Sequence, residues 1–561
     1  MKASFGRRSI LPIAILLGSA LSGCVQVLSS QPPSTIIHQA PISVSPWSAP
    51  GAGDLGSVDA TAVSFLTQPS LAGTPLTTFG DFQMTSRSDF AILSASFSDG
   101  TNFRGYGRYF KPVGLGGPGF ASLGNQFMQL DSPAILGMPL ASSSMTVVSS
   151  GFSPGGLLLS AFSDSTGVST DTADYGPAAS FGNFANPSVA TAPPLVAVAR
   201  GNGALGSVSG VGWDAIGHAY LGYVEDLTGI PKTLRYTAFT GWDTTAPVAL
   251  DLPGHADQIQ VLSDGLGASI IYHDPIAQTI KAVWTLDADF PVGIPPGTIT
   301  SAILSTVGAD PQGFWAAADG AGNVVVVFIQ QKIPNPNCGT SPITTQNCAY
   351  RVYGSVRGAT GVWTGPTEID VNIASATNTS VYQDDTFGGI NYFIPGITYA
   401  GNGRFLSGFA MINNFTHISG IYSLGYTVGT GWDPTANTAT VEEVSINSFD
   451  QVRVANDIRM VSDGQGHALL MANYRLLDTS NTPTSFDYKV FEFGGASQNF
   501  NGWDRGNILG IPTCTLSFGT YCGTMEPVGA VFSSGEALIV MPGPDTSGGT
   551  NQFRLYNSVH R

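Results

Sequence analysis

Residues 462–474 read SDGQGHALLMANY, with an Asp-Gly pair and a second glycine between two apolar runs. Glycine supplies the positive φ that tight turns require, so this stretch predicts a β-hairpin that turns at Asp463–Gly466. The same pattern recurs at Asp214, Asp264 and Asp319, each time after a short apolar run and before a longer one. The stretch is therefore one copy of a repeat, in which each aspartate is expected to stabilise its own turn.

The second half of the repeat is also regular. Each hairpin is followed by a run that contains Tyr or Phe, then by Gly-Trp or Val-Trp, and then by another extended segment. The tryptophans of these copies are Trp242, Trp363, Trp432 and Trp503. The unit thus consists of strand, DGxG turn, strand, connection, strand and Trp-bearing strand, which is the order of one β-propeller blade.

The spacing of the copies predicts how many blades the chain forms. The aligned glycines lie 50 to 81 residues apart and are Gly217, Gly267, Gly322, Gly403, Gly466 and Gly535. The shortest intervals suit a bare four-stranded blade, and the longer ones carry inserts, one at 338–348 and another at 371–396. With two degenerate early copies, near Asp89 and Gly156, the sequence predicts an all-β propeller of seven or eight blades, with eight favoured.

The last copy has no Trp-bearing fourth strand after the segment NQFRLYNSV at 551–559. Near the N-terminus, SPWSAPGAG presents Trp47 in the matching context without a hairpin before it. We expect this N-terminal strand to complete the final blade and close the ring, because closure removes open sheet edges. Trp47 should then contact residues 551–558.

The first residues, MKASFGRRSILPIAILLGSALSGC, combine three basic residues with an apolar run at 9–20. Twelve residues are too few to span a bilayer, so residues 1–23 are interpreted as an export signal. The Leu21–Cys24 stretch, LSGC, resembles the lipobox of bacterial lipoproteins. The resemblance implies cleavage before Cys24 and attachment of fatty acyl chains such as palmitate to that residue. Val25 in place of Asp favours the outer membrane in that family.

Residues 24–45 are rich in Ser, Pro and Gln and almost uncharged, which indicates a flexible tether with a reach of roughly 25 Å. Residues 46–561 are then a single propeller domain. We expect the protein in the cell envelope, on the periplasmic face or at the cell surface, with the membrane as a partner through the lipid.

Cysteine usage agrees with export. Besides Cys24 the chain has two local pairs, Cys338 with Cys348 and Cys514 with Cys522, in turn-rich stretches. Their spacing matches neither a CxxC redox motif nor a zinc site, so two loop-closing disulfides are expected.

Composition excludes some function classes. Charged residues make up 11% of the chain and the formal net charge is −16, with no basic run. Such a chain repels nucleic acid, so no nucleic-acid partner is expected. The polar surface must be built mainly from Ser, Thr, Asn, Gln and Gly, which suits an extracytoplasmic all-β protein.

The repeats resemble the DGxGNAxAVW … GW-SxPVxL units of bacterial β-propeller lipoproteins, over about residues 45–561 and most closely over 205–561. That family is known by its architecture and not by one activity. The resemblance therefore implies a fold and leaves the function open.

Few residues are candidates for chemistry. Ser153 lies in GFSPG, but the predicted hairpin context does not suit a nucleophile elbow. Asp384 and Asp385, in the insert YQDDTFGG, are a candidate loop for a cation or another ligand, although a solvated loop is the simpler interpretation. No catalytic residue, metal ligand set or cofactor is predicted, and a structural cation such as calcium is left open.

Three hypotheses for function remain. The first is a lipid-anchored binding or scaffold module that presents its insert loops to a protein or glycan. The second is a hydrolase or lyase that acts on polysaccharide in the propeller funnel, which requires several acids, histidines or arginines to converge there. The third is a structural component of the cell envelope. The absence of a catalytic motif favours the first.

Overall fold

The computed structural model divides the chain into two units, Met1–Ser45 and Pro46–Arg561. The residues that it describes all belong to the second unit and are 51–52, 70–71, 74–75, 79–98, 103–110, 112, 115, 128–129, 144–152, 158–165, 177–181, 196–197, 205–225, 228–237, 241–242, 248–285, 301–332, 350–370, 379–380, 382–385, 389–392, 394–413, 419–433, 451–454, 458–477, 483–494, 507–515, 526–544 and 553–560. No helix among them is long and apolar enough to cross a bilayer.

The described elements are β-strands, and most belong to sheets of four or five antiparallel strands, numbered here along the chain. Sheet 1 contains Phe79–Ser86, Ala91–Ser98, Phe103–Phe110 and Met128–Gln129. Sheet 2 contains Ser144–Phe152, Leu158–Ser165, Pro177–Phe181 and Val196–Ala197. Sheet 3 contains Leu205–Trp213, Ala219–Glu225, Ile230–Thr237 and Gly241–Trp242, with Val248–Ala249 also paired to its third strand.

Sheets 4 to 6 follow the same order. Sheet 4 contains Gln258–Ser263, Ala268–Asp274, Thr279–Trp284 and Ala302–Ile303. Sheet 5 contains Gly313–Ala318, Val324–Gln331, Tyr350–Arg357 and Trp363–Glu368. Sheet 6 contains Gly396–Gly401, Arg404–Asn413, Ser419–Thr427 and Gly431–Trp432, with Thr379–Ser380 also paired to its second strand.

Sheets 7 and 8 complete the domain. Sheet 7 contains Arg459–Ser462, Ala468–Leu477, Pro483–Phe493 and Asn507–Thr515, with Gln451–Val454 also paired to its second strand. Sheet 8 contains Val528–Val531, Ala537–Pro544, Phe553–His560 and Gly51–Ala52. Two small hairpins pair Ser70–Leu71 with Thr74–Pro75 and Tyr382–Asp385 with Gly389–Tyr392.

The fourth strand of sheet 8 comes from the N-terminal part of the chain. Gly51 pairs with Asn557 and Ala52 with Tyr556, both in the third strand of that sheet. Trp47, which we predicted to contact this strand, lies outside the described residues.

Together the sheets form a β-propeller arrangement, because the first strands of consecutive sheets lie against one another. Side chains join these first strands as well. The Gln260 amide donates to the carbonyl of Ala316 at 3.1 Å and accepts from its N–H at 2.9 Å, which satisfies the inner edge of sheet 5.

The core lies between neighbouring sheets. The second strand of sheet 5, VVVVFIQQ, is buried along its whole length because both of its faces meet another sheet. Val324, Val326 and Phe328 pack toward sheet 4, whereas Val325, Val327 and Ile329 pack toward sheet 6. This continuous β-branched run explains why the longer apolar run of each repeat shows no polar alternation.

Each sheet has two distinct ends. At one end, called the DGxG end, the first strand turns into the second, as at Ser263–Ala268 and Ser462–Ala468. At the other, called the insert end, the second strand connects to the third and the chain passes to the next sheet. The inserts 338–348 and 371–396 both leave sheet 5 at the insert end, beyond the pair Gln331–Tyr350 and beyond Glu368.

Candidate functional site

The repeat aspartates lie at the DGxG ends of separate sheets. Asp264 Oδ1 accepts hydrogen bonds from Leu266 N at 3.0 Å and Gly267 N at 2.7 Å. Asp214, Asp319 and Asp463 accept in the same way from backbone N–H groups two and four residues later. These carboxylates organise individual turns and do not converge on a common site.

Two of the turns also contain histidine. His218 Nδ1 lies 3.1 Å from Asp214 Oδ2, and His467 Nδ1 lies 3.1 Å from Asp463 Oδ2. A carboxylate only accepts, so Nδ1 carries a hydrogen and donates in both contacts.

Between sheets 4 and 5, at the DGxG end, Arg357 is fully buried. Its guanidinium donates to Asp264 Oδ2 at 2.6 Å and to Ser269 Oγ at 2.8 Å. It also stacks on Trp284, with Cζ 4.2 Å from the ring centroid. Buried charge is tolerated here because the arginine finds a carboxylate, a hydroxyl and an aromatic face together.

The corresponding place between sheets 7 and 8 is hollow. A cavity of about 200 Å³ is lined by His467, Glu492 and His560, together with Ala468, Leu469, Phe493, Gly494, Val531, Gly535 and Ala537. His560 Nδ1 lies 3.1 Å from Glu492 Oε1 across the interface. Burial lowers the pKa of His560, which favours its neutral form.

Strand register shows that the two places are equivalent. Arg357 pairs with Val324, the first residue of the second strand of sheet 5, and His560 pairs with Ala537, the first residue of the second strand of sheet 8. On the preceding sheets, Trp284 and Glu492 both pair with the second residue of the second strand. Glutamate and histidine thus replace tryptophan and arginine, and these smaller side chains leave space.

A polar cluster lies at the insert end of sheet 4. Asp251, His255 and Asp274 place one potential ligand atom each within 4.8 Å of one another. Lys281 Nζ lies 2.6 Å from both Asp251 Oδ2 and Asp274 Oδ2, and His255 Nδ1 lies 2.7 Å from Asp274 Oδ2. The ammonium group already fills the place between the carboxylates that a cation would take.

The protonation of this cluster follows from its contacts. Burial opposes charge on Asp274, yet the Ala277 N–H, Lys281 and His255 hold its pKa below the ordinary value. Burial likewise opposes charge on Lys281, but Asp251 and Asp274 raise its pKa. Asp274 and Lys281 therefore form an ion pair at neutral pH.

A buried carboxyl lies nearby at the insert end of sheet 5. Burial raises the pKa of Asp370 to about 7, with Arg351 opposing the rise and Glu368 adding to it. Asp370 lies two residues after the end of the fourth strand and directly before the insert at 371–396. The carboxyl therefore titrates near neutrality beside the root of that insert.

The other predicted site residues are placed only in part. Asp384 and Asp385 pair with Ile390 and Gly389 in the small hairpin at the insert end, and only their backbone is described. Cys514 lies in the fourth strand of sheet 7, again described by its backbone. Cys24, Cys338, Cys348, Cys522 and Ser153 lie outside the described residues, so the lipid anchor and both disulfides stay predictions.

Sequence reasoning missed Arg357, Glu492 and His560. Arg357 lies 38 residues after Asp319, the repeat aspartate of the same sheet. The separation is long because the segment with Cys338 and Cys348 lies between the second and third strands of sheet 5. The register of the third strand could have found Arg357 and His560, since each is the last residue of its strand and faces the preceding sheet. Glu492 is the last but one in its strand and faces the following sheet.

No family model and no curated protein matches the sequence. Among solved structures, the chain is similar to the polysaccharide lyase Uly1, with 11% identity and a TM-score of 0.32 over 61% of this chain and 88% of the lyase. It is similar to the fucose-specific lectin from Aleuria aurantia, with 12% identity and a TM-score of 0.28 over 64% of this chain and 96% of the lectin. It is also similar to the β-propeller domain of the Trilobed protease from Pyrococcus furiosus, with 6% identity and a TM-score of 0.34 over 76% of this chain and 97% of that domain. Function must therefore be argued from the residues of this chain.

Proposed function

We propose that this protein is a lipid-anchored, extracytoplasmic binding module that holds a protein or glycan partner at the insert end of its propeller. The observation that carries the proposal is the common origin of the inserts. The segments 338–348 and 371–396 both leave sheet 5 at that end, while the first-to-second-strand turns at the opposite end are short and held by aspartates. Loops on a rigid scaffold are where proteins place recognition.

The scaffold itself is proposed to be a closed ring of eight blades, with the N-terminal strand in the last one. Three contacts support this. The first strands of sheets 8 and 1 lie against each other, Ser533 N donates to Ser88 O at 2.8 Å, and the rings of Phe110 and Phe532 are 5.3 Å apart. The pairing of Gly51 with Asn557 supports the role of the N-terminal strand.

The anchor is tested by Cys24→Ala. We expect the variant to be released as a soluble protein on osmotic shock, whereas the parent protein should sediment with membranes. Sedimentation of both proteins with outer membranes would contradict the lipid anchor and leave the insert-end proposal untouched.

The binding face is tested by site-specific photocrosslinking in cells. Ile276 at the insert end and Val362 at the DGxG end are matched positions, since their exposures are 63% and 64%. We expect a photoreactive amino acid at Ile276 to form an adduct with the partner and one at Val362 to form none. Protease or glycosidase treatment of the adduct then tells whether the partner is a protein or a glycan. Adducts from Val362 alone, or from neither position, would reject the proposed face.

The polysaccharide-acting hydrolase or lyase remains the second candidate, because the cluster of Asp251, His255 and Asp274 lies at the same end. Its test is incubation of the purified protein with envelope polysaccharide, followed by assay for new reducing ends or unsaturated uronates. Chain shortening that disappears in Asp274→Asn would favour the enzyme over the binding module. The binding proposal expects no shortening by either protein.

A further inference from the structure

The cavity between sheets 7 and 8 lies at the DGxG end, away from the proposed partner face, so its occupant is a separate question. Its polar lining comes from both sheets: His467 and Glu492 from sheet 7 and His560 from sheet 8. Leu469 and Val531 supply apolar walls. The site is thus built across two blades, from strand ends and from the turns that hold His467 and Gly535.

The lining offers acceptors and negative charge. Asp463 holds Nδ1 of His467 as a donor, so in the neutral form of that ring Nε2 is an acceptor. Glu492 is a carboxylate with two acceptor oxygens, and His560 Nδ1 lies 3.1 Å from one of them, Oε1. A ligand that complements this lining brings N–H or O–H donors, and a cation is favoured by Glu492 and by the net charge of −16.

The equivalent place between sheets 4 and 5 shows which chemical group fits between two neighbouring sheets at this end. There the guanidinium of Arg357 lies between the sheets and donates to a carboxylate of the preceding sheet at 2.6 Å. Between sheets 7 and 8 the chain supplies His560 at that position, together with a carboxylate from Glu492 where sheet 4 has Trp284. Among the described residues at this place, Glu492 brings a carboxylate and His560 stands where sheet 5 has Arg357.

A single metal ion fits this lining less well. Among the described residues, the group whose ligand atoms all lie within 4.8 Å of one another is at Asp251, not at this cavity. A guanidinium is a planar cation whose N–H donors point in different directions, so it can bind acceptors that lie apart from one another. A single metal ion needs its ligand atoms close together.

We propose that this cavity binds the guanidinium group of an arginine side chain from a partner polypeptide, in the place that Arg357 fills between sheets 4 and 5. Glu492 forms the charged contact, His467 accepts a second hydrogen bond, and the apolar walls hold the side-chain stem.

The test uses the full-length protein in detergent and titration calorimetry with three probes. N-acetyl-L-arginine amide carries the guanidinium, N-acetyl-L-citrulline amide is its neutral isostere, and methyl α-glucoside represents a glycan. We expect the arginine probe to bind at least about tenfold more tightly than the citrulline probe, because charge-assisted bonds are roughly twice as strong as neutral ones. Equal affinities, or binding of the glucoside alone, would overturn the proposal.

Two variants locate the binding. Glu492→Gln should weaken the arginine probe at least about tenfold, whereas Glu368→Gln, which removes one charge at the insert end, should leave its affinity unchanged. His560→Arg should place the chain's own guanidinium in the cavity and abolish binding without lowering the Tm. Full binding by His560→Arg, or equal losses in Glu492→Gln and Glu368→Gln, would place the probe elsewhere and reject the site.

Discussion

The interface between sheets 4 and 5 and the interface between sheets 7 and 8 use the same repeat positions in opposite ways. The first is filled by Arg357, stacked on Trp284 and paired with Asp264. The second has His560 and Glu492 at the equivalent positions and encloses a cavity of about 200 Å³. The side chain at this repeat position therefore decides how the blade interface is filled. An arginine of the chain fills it in one case, and in the other a cavity is left that a cation from outside the chain can enter.

The largest effect is expected where the filled interface is broken. Arg357→Met leaves Asp264 buried without its cation and removes the stacking on Trp284. The free energy of unfolding should fall by about 3–5 kcal/mol, the range found when one partner of a buried ion pair is removed. Urea unfolding followed by tryptophan fluorescence measures it.

The control for Arg357→Met is Lys332→Met, which breaks the more exposed Lys332–Glu368 pair at the other end of sheet 5. That change should cost at most about 1 kcal/mol. Similar losses in the free energy of unfolding of the two variants would show that the contribution of Arg357 to stability does not depend on its burial.

A second comparison concerns the turns at the two interfaces. Gly265 has φ +87°, and a Cβ built there would lie 1.7 Å from Gly320 O in the adjacent turn. Gly535 has φ +83° but open space around it. Gly265→Ala should therefore cost about 2–4 kcal/mol, from backbone strain plus overlap, and Gly535→Ala about 1 kcal/mol, from strain alone. Differential scanning calorimetry of both variants tests this, and equal Tm values would contradict the close approach of adjacent turns.

Filling the open interface should stabilise the protein modestly. In His560→Arg the guanidinium gains Glu492 as a partner, and the free energy of unfolding should rise by about 1 kcal/mol. Chemical denaturation at neutral pH measures the change. A loss of more than about 1 kcal/mol would mean that the cavity cannot hold the side chain that sheets 4 and 5 accommodate.

The smallest effect is a difference in pH response. Burial lowers the pKa of His560 in the folded protein, so the unfolded chain takes up this proton more readily. Stability from neutral His560 is complete above the unfolded value of about 6.5 and is lost as the pH falls below it. The Tm of the parent protein should drop more on acidification than that of His560→Gln. Identical slopes of Tm against pH in the two proteins would argue against burial of this ring.

Much of the fold was predictable because the residues that form each turn and each fourth strand lie close together within one repeat. Turns such as Asp463–Gly466 need positive φ and side-chain acceptors, and the same features recur at Asp214, Asp264 and Asp319. The Gly-Trp pairs predicted fourth strands, and Gly241–Trp242 and Gly431–Trp432 lie where expected. The pairing of Gly51–Ala52 with the last described strand follows from the missing Trp-bearing strand of the final copy.

The candidate sites were harder to predict. Arg357 meets Asp264 from 93 residues away, and His560 meets Glu492 from the next sheet. Such contacts depend on the register of third strands, whose sequences carry no turn motif. The cluster of Asp251, His255 and Asp274 was not predicted because its members come from different elements. Asp251 and His255 lie in the connection before sheet 4, and Asp274 ends the second strand of that sheet.

The most direct test of the difference between the two interfaces is a crystal structure of the protein with N-acetyl-L-arginine amide. The guanidinium should lie between sheets 7 and 8, within hydrogen-bond distance of Glu492 and His467 Nε2, in the orientation that Arg357 has between sheets 4 and 5. A structure in which that cavity holds only solvent, while the probe lies elsewhere or is absent at saturating concentration, would contradict the account.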